Sequence, residues 1–200
     1  YFIVGSDQVW NFELTNGFDN YYWGCFNPPV KTKIMTYAAS MQDNWKDTIN
    51  SEIYKRLQNF SGISVREKSM VQKLSLIDNS KPIFEVVDPT LLFGEDFWNN
   101  VAIKPTIKES YLLVYQVENS ERVELMAKSI AKELHLRIIH LSARIERSNT
   151  KGVGNSSPAD FVGLLKYADF IVCSSFHGTI FSLLFNKPFI SVKMNSGKAF

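Results

Sequence analysis

Short apolar runs alternate along this chain with stretches whose apolar residues recur at helical spacing. Phe2 to Val4 is apolar and stops at Gly5, and Ile34 to Ala39 is a second such run leading into Ser40. Ile49, Ile53, Leu57 and Phe60 then fall on one face of a helix predicted over 47–60. Ile63 to Val65 reads as a short buried strand, and Met70, Val71 and Leu74 mark a second helix over 67–76. Phe84 to Val87 follows as a strand. It ends at Asp88-Pro89, because proline pushes the residue before it out of the helical region. The order predicted so far is β, β, α, β, α, β.

A polar stretch from Lys104 to Ser110, containing Pro105, reads as a linker or a domain crossing. The alternation then restarts. Tyr111 to Val117 is a buried strand. Val123, Met126, Ala127, Ile130, Ala131 and Leu134 define the clearest helix, with Ser120 as its N-cap. Arg137 to Leu141 is a strand, and 142–156 is polar with two glycines, the pattern of a mobile loop. Ser157-Pro158-Ala159-Asp160 has the form of a helix start, with serine as cap, proline in the first turn and a carboxylate at the third position. Phe170 to Cys173, Phe176 to Phe185 and Phe189 to Val192 complete the series as strand, helix and strand. Strands separated by helical patterns of this length form parallel sheets with crossover helices. The expected fold class is therefore α/β, with two parallel-sheet units, residues 1–105 and 106–200.

Composition narrows the function classes. The chain has 200 residues, 45% of them hydrophobic, which is enough for a sizeable core. A net charge of +2 is too small to argue for nucleic acid or an anionic membrane as partner. No apolar run approaches the ~20 residues that span a bilayer. Two cysteines, Cys25 and Cys173, exclude a disulfide scaffold, and they show no metal-binding spacing with the three scattered histidines. Aromatic residues make up 14%, which suits either a packed interior or a sugar-binding surface. The chain opens on an apolar strand with no signal-peptide pattern and closes just after another, so it reads as part of a longer protein, incomplete at both ends.

In open α/β sheets ligands sit beyond the carboxyl ends of the strands, so strand-to-helix junctions are where chemistry is sought. Three stand out. Ser174, Ser175, Phe176, His177, Gly178 and Thr179 join a strand to a helix. Free N–H groups and the helix dipole there favour an anion, and Gly178 would let it approach the backbone. The alternative is an ordinary capped helix with a structural histidine. Arg66 and Glu67 follow the strand at 63–65. Arg66 could hold a carboxylate or phosphate in its planar fork, or simply pair with Glu67 at the surface. Gly5, Ser6, Asp7, Gln8, Val9 and Trp10 end the first strand. Asp7 and Gln8 could take sugar hydroxyls with Trp10 against the ring, or the segment could be a turn over a buried tryptophan. Asp88-Pro89-Thr90 reads as a strand-ending turn. Arg137, Arg144, Arg147 and Lys151 read as a solvated face that could also steer an anionic donor, and neither a dinucleotide nor a P-loop fingerprint is present.

Together these segments are more specific than any one alone. Ile3-Val4-Gly5-Ser6-Asp7-Gln8-Val9-Trp10-Asn11, Ile63-Ser64-Val65-Arg66-Glu67, Val87-Asp88-Pro89-Thr90-Leu91-Leu92 and Ser174-Ser175-Phe176-His177-Gly178 occur in an order that resembles the polysaccharide pyruvyl transferase family. Phe176 stands where some members carry arginine. The resemblance implies two Rossmann-like units of the GT-B type with the site in their cleft. It implies a cytoplasmic enzyme, free or peripheral to the inner face of the membrane, acting on a cell-surface polysaccharide. The donor would be phosphoenolpyruvate, and the acceptor a saccharide or lipid-linked saccharide that receives the pyruvyl group as a ketal. No cofactor or metal is implied. His177 would be an acid/base, with Asp7 or Glu67 as the second. Arg66 and the segment 174–179 would hold the anionic donor, and Gly5, Ser6, Gln8 and Trp10 would line the site. A nucleotide-sugar glycosyltransferase and a non-catalytic sugar- or anion-binding protein are the alternative functions on the same scaffold.

Overall fold

The computed structural model describes residues 1–29, 31–41, 45–117, 119–142 and 157–193. The chain forms two compact units, Tyr1–Leu92 and Phe93–Phe200.

In the first unit, strands β1 (Phe2–Val4) and β2 (Ile34–Thr36) pair in parallel, as do β3 (Ile63–Val65) and β4 (Ile83–Glu85). Parallel bridges at Met35–Gly62 and Ala39–Val65 join the two pairs. The ladder between β2 and β3 is interrupted because side chains take part in it. The Ser64 N–H donates to Thr36 Oγ1 at 2.8 Å, and the Ser64 hydroxyl donates to the Thr36 carbonyl at 2.8 Å. Helices α1 (Asn50–Leu57) and α2 (Lys68–Ile77) turn Ile53, Leu57, Met70 and Leu74 inward, as their spacing requires. A short 3₁₀ turn over Asp47–Ile49 precedes α1, so the helix starts later than the sequence pattern predicts.

In the second unit, strands β5 (Tyr111–Gln116), β6 (Arg137–Ser142), β7 (Phe170–Cys173) and β8 (Phe189–Ser191) form one parallel sheet in the order β6-β5-β7-β8. Both faces are covered. Tyr111 and Leu113 face the core that includes Leu164, Leu165 and Phe181, carried by α5 (Pro158–Tyr167) and α6 (Phe176–Leu184). Leu112 and Val114 face Val123, Ala127 and Ala131 of α4 (Glu121–Glu133). This two-sided burial explains why β5 reads as a continuous apolar run and not as an alternating one. Ser157 caps α5 through a full capping box with Asp160. Ser120 precedes α4 but makes no side-chain cap. Its N–H donates instead to Gln116 Oε1 at 2.9 Å.

One helix was not visible in the sequence pattern. Helix α3 (Glu95–Val101) is short and buries no residue fully, so it shows no apolar stripe; Trp98 is its anchor, edge-on to Phe181. Most of the polar segment at 142–156, with Arg144, Arg147 and Lys151, lies outside the described residues. Among the described residues no helix is long and apolar enough to cross a membrane.

Candidate functional site

Two polar clusters form at strand carboxyl ends, one in each unit. In the first unit all four strands contribute. Ser6 and Asp7 follow β1, Ser40 follows β2, Arg66 and Glu67 follow β3, and Asp88 and Thr90 follow β4. The backbone bends sharply to deliver them. Gly5 has φ 116°, where a Cβ would collide with the Tyr37 carbonyl, and Asp7 and Ala38 have φ 62° and 50°.

Arg66 is the hub. Its side chain is only 9% exposed. Nε donates to Glu67 Oε1 at 3.0 Å, Nη1 to Asp88 Oδ2 at 3.1 Å and Nη2 to Ser40 Oγ at 3.1 Å. Asp7 Oδ1 lies 3.8 Å from Nη1 and is largely exposed. The Ser40 hydroxyl donates to Glu67 Oε1 at 2.6 Å, while Glu67 Oε2 is buried with no hydrogen-bond partner among the described residues. The expected Arg66–Glu67 pair is therefore present, but it is part-buried and belongs to a network rather than standing alone at the surface. Three carboxylates surround one guanidinium, so the cluster is acid-rich.

Trp10 takes the interior role. It is fully buried, stacked on Trp23 at 4.5 Å between centroids, and its indole N–H donates to the Tyr22 carbonyl at 2.8 Å. The sugar-stacking expectation for Trp10 is corrected by this burial. Gln8 is tied to Asn11, whose amide donates to its Oε1 at 2.7 Å.

In the second unit the sheet order reverses at β5, since β6 lies on one side of it and β7 and β8 on the other. Such a reversal opens a crevice at the carboxyl ends of the two strands that flank it, here β5 and β7. The segment 174–179 lies at this point, and the Ser174 N–H donates to the Tyr115 carbonyl at 3.1 Å. Ser175 caps α6 by accepting from the Gly178 N–H at 3.4 Å. Ser174 is fully buried and its hydroxyl has no partner among the described residues. His177 is half-buried in the first turn of α6, edge-on to Phe176 at 5.3 Å. No acidic residue occupies that turn, which leaves the positive end of the helix dipole uncompensated by a local carboxylate.

Two residues of this segment have packing roles. Gly178 is buried, and a Cβ there would lie 3.0 Å from the Tyr115 ring and 3.1 Å from Cys173 Cβ. Its missing side chain admits those neighbours. The Thr179 hydroxyl donates to the Ser175 carbonyl at 3.1 Å and lies 3.0 Å from Ser191 Oγ. Burial pushes the neighbouring Cys173 thiol up.

Sequence reasoning missed Ser40 and Ser191 and read Asp88-Pro89-Thr90 as only a turn. It is an Asx-type turn: the Asp88 side chain accepts from the Thr90 N–H at 3.1 Å and the Thr90 hydroxyl at 2.7 Å. The available signal was an acidic residue just past the carboxyl end of a short strand, fixed there by the following proline.

Parallel strands with crossover helices define an α/β protein, and its polar clusters lie at the strand ends, the edge at which such sheets hold ligands. The family model for polysaccharide pyruvyl transferase matches residues 1–196, and the chain belongs to that family. The family's name describes a transferase of polysaccharide pyruvylation. No curated protein and no solved structure matches the chain.

Proposed function

We propose that this chain transfers the pyruvyl unit of phosphoenolpyruvate to a saccharide or lipid-linked saccharide of a cell-surface polysaccharide, forming a ketal. The reading takes the two α/β units as halves of a GT-B-like enzyme at the cytoplasmic side of the membrane. The observation that carries it, beside the family match, is the placing of Ser174 to His177 at the reversal point of a parallel sheet, on a helix start free of acidic residues.

The chemistry balances without a redox partner. Two sugar hydroxyl oxygens bond to C2 of the enolpyruvyl group, and the C2–O bond to phosphate breaks. One hydroxyl proton ends on the methylene carbon, which becomes methyl, and the other leaves with phosphate. His177 handles a proton, since an imidazole ring carries one donor and one acceptor nitrogen. Asp7 or Glu67 accepts the hydroxyl proton, the task for which an acid-rich cluster is suited. Arg66, the cation of the first cluster, suits the donor carboxylate, and the first turn of α6 has N–H groups of the kind that suit a phosphate.

The test is phosphate release from phosphoenolpyruvate by the full-length protein, dependent on a saccharide, with the ketal identified by mass spectrometry. His177→Ala should lower turnover by ~10²–10⁴-fold with little change in thermal stability. Release of a nucleoside diphosphate from a nucleotide sugar would replace this reading with glycosyl transfer. Saccharide or anion binding without turnover would replace it with a non-catalytic role.

A further inference from the structure

Asp88 is 1% exposed, so its charge must be met by protein groups and not by water. Among the described residues, donors from three side chains and one backbone N–H meet it. The Ser6 hydroxyl, at 3.0 Å, and Arg66 Nη1, at 3.1 Å, share Oδ2. The Thr90 N–H and hydroxyl, at 3.1 and 2.7 Å, share Oδ1. The local turn fixes one oxygen and so presents the other to groups that arrive from the ends of β1 and β3.

A buried ion pair is weak evidence for stability, because desolvation offsets much of the attraction. What this arrangement does fix is direction. Each nitrogen of the Arg66 guanidinium has a partner from a different strand end: Nε has Glu67 after β3, Nη2 has Ser40 after β2, and Nη1 has Asp88 after β4. Ser6, after β1, is tied to the same Asp88 oxygen. Glu67 is the sequence neighbour of Arg66 and moves with it, and Ser40 is a neutral hydroxyl. Asp88 is the buried anion of the set, held by its own turn, and therefore the group able to orient a cation on a long, flexible side chain.

We propose that Asp88 is a positioning residue that sets the Arg66 guanidinium for the anionic donor; this rests on the reading that Arg66 holds phosphoenolpyruvate. Asp88→Asn keeps the side-chain shape but removes the charge and one of the two acceptor oxygens. In the full-length protein, Asp88→Asn should raise the Kd for phosphoenolpyruvate by calorimetry, and its KM, about tenfold, the scale of a lost hydrogen bond to a charged group. The value of kcat should change less, and the circular dichroism spectrum should not change. In an Arg66→Lys background, where the fork is already lost, Asp88→Asn should add less than about twofold, since the two residues act as a unit. If Asp88→Asn does not fold, Thr90→Val removes one donor from Oδ1 and should raise KM about threefold with kcat unchanged.

A folded Asp88→Asn protein with wild-type Kd and KM overturns the proposal. So does the same tenfold loss in the Arg66→Lys background, or an unchanged KM in Thr90→Val where that variant is needed. Wild-type protein that takes up no phosphoenolpyruvate overturns the functional reading and this assignment with it, a result distinct from any variant effect.

Discussion

Arg66→Ala is the substitution that a functional reading suggests first, and the structure predicts that it damages the fold as well as the site. Arg66 is the cation that faces Asp88, and removing it leaves a carboxylate that is 1% exposed without its counter-charge. Breaking a buried pair by removing one partner costs roughly 3–5 kcal/mol. The Ser6 and Thr90 donors remain on Asp88, so the lower end applies, about 3 kcal/mol. For a unit of this size that corresponds to a fall in melting temperature of roughly 12–24 °C. Arg66→Lys keeps the charge and should lose only about 1 kcal/mol. Urea unfolding followed by tryptophan fluorescence suits the measurement, because Trp10, Trp23 and Trp45 are all buried in the first unit. Adding Asp88→Asn to Arg66→Ala should restore part of the loss, since a buried pair removed whole costs less than one left half-made. A loss below about 1 kcal/mol in Arg66→Ala would refute the buried network.

Two further outcomes concern the second unit. Burial, with a contribution from the Asp169 charge, pushes the Tyr111 phenol up from its ordinary value of 10.0, so the folded state holds that proton where the unfolded chain releases it. Stability from this group is therefore complete below about pH 10 and falls as pH rises further. Tyr111→Phe should remove that alkaline loss in pH-dependent denaturation, at a cost of about 1 kcal/mol at neutral pH for the bond to the Leu164 carbonyl, and an unchanged alkaline slope would count against it. Gly178→Ala must displace the Tyr115 ring or Cys173 and should cost roughly 1–3 kcal/mol of stability by thermal denaturation; a neutral result would mean that the junction is looser than 3.0 Å implies.

Much of the fold was legible because its signals are local. The strand at 63–65 and the helices around 50–57, 121–133 and 158–167 announce themselves through apolar spacing, and the α5 capping box is written in four consecutive residues. Helix α3 was not legible. At Glu95–Val101 it is too short for a repeating stripe, and the contact of Trp98 with Phe181 joins residues far apart in the chain. The interruption between β2 and β3 was hidden for a related reason: hydroxyls of Thr36 and Ser64 enter the ladder, and no propensity reports that.

The candidate residues divide along the same line. Strand-to-helix junctions can be found from local pattern, which is why Arg66 and the 174–179 segment could be singled out. What surrounds a junction residue depends on strand order. Ser6 and Asp88 are 82 positions apart and Arg66 and Asp88 are 22 apart, yet they share one carboxylate oxygen because parallel strands bring all their carboxyl ends to one edge. A junction that looks like an independent arginine is thus half of a buried pair, and a proline turn that looks inert supplies the other half. Trp10 makes the converse point. Its neighbours Asp7 and Gln8 have the chemistry of a sugar site, but its indole is enclosed by Trp23 and Phe60, residues whose approach no local pattern encodes. Residue type and junction position indicate where chemistry can occur. Burial then decides which of those side chains can touch a ligand, and it assigns Trp10 and Gly178 to packing while leaving Asp7 largely exposed and His177 partly accessible.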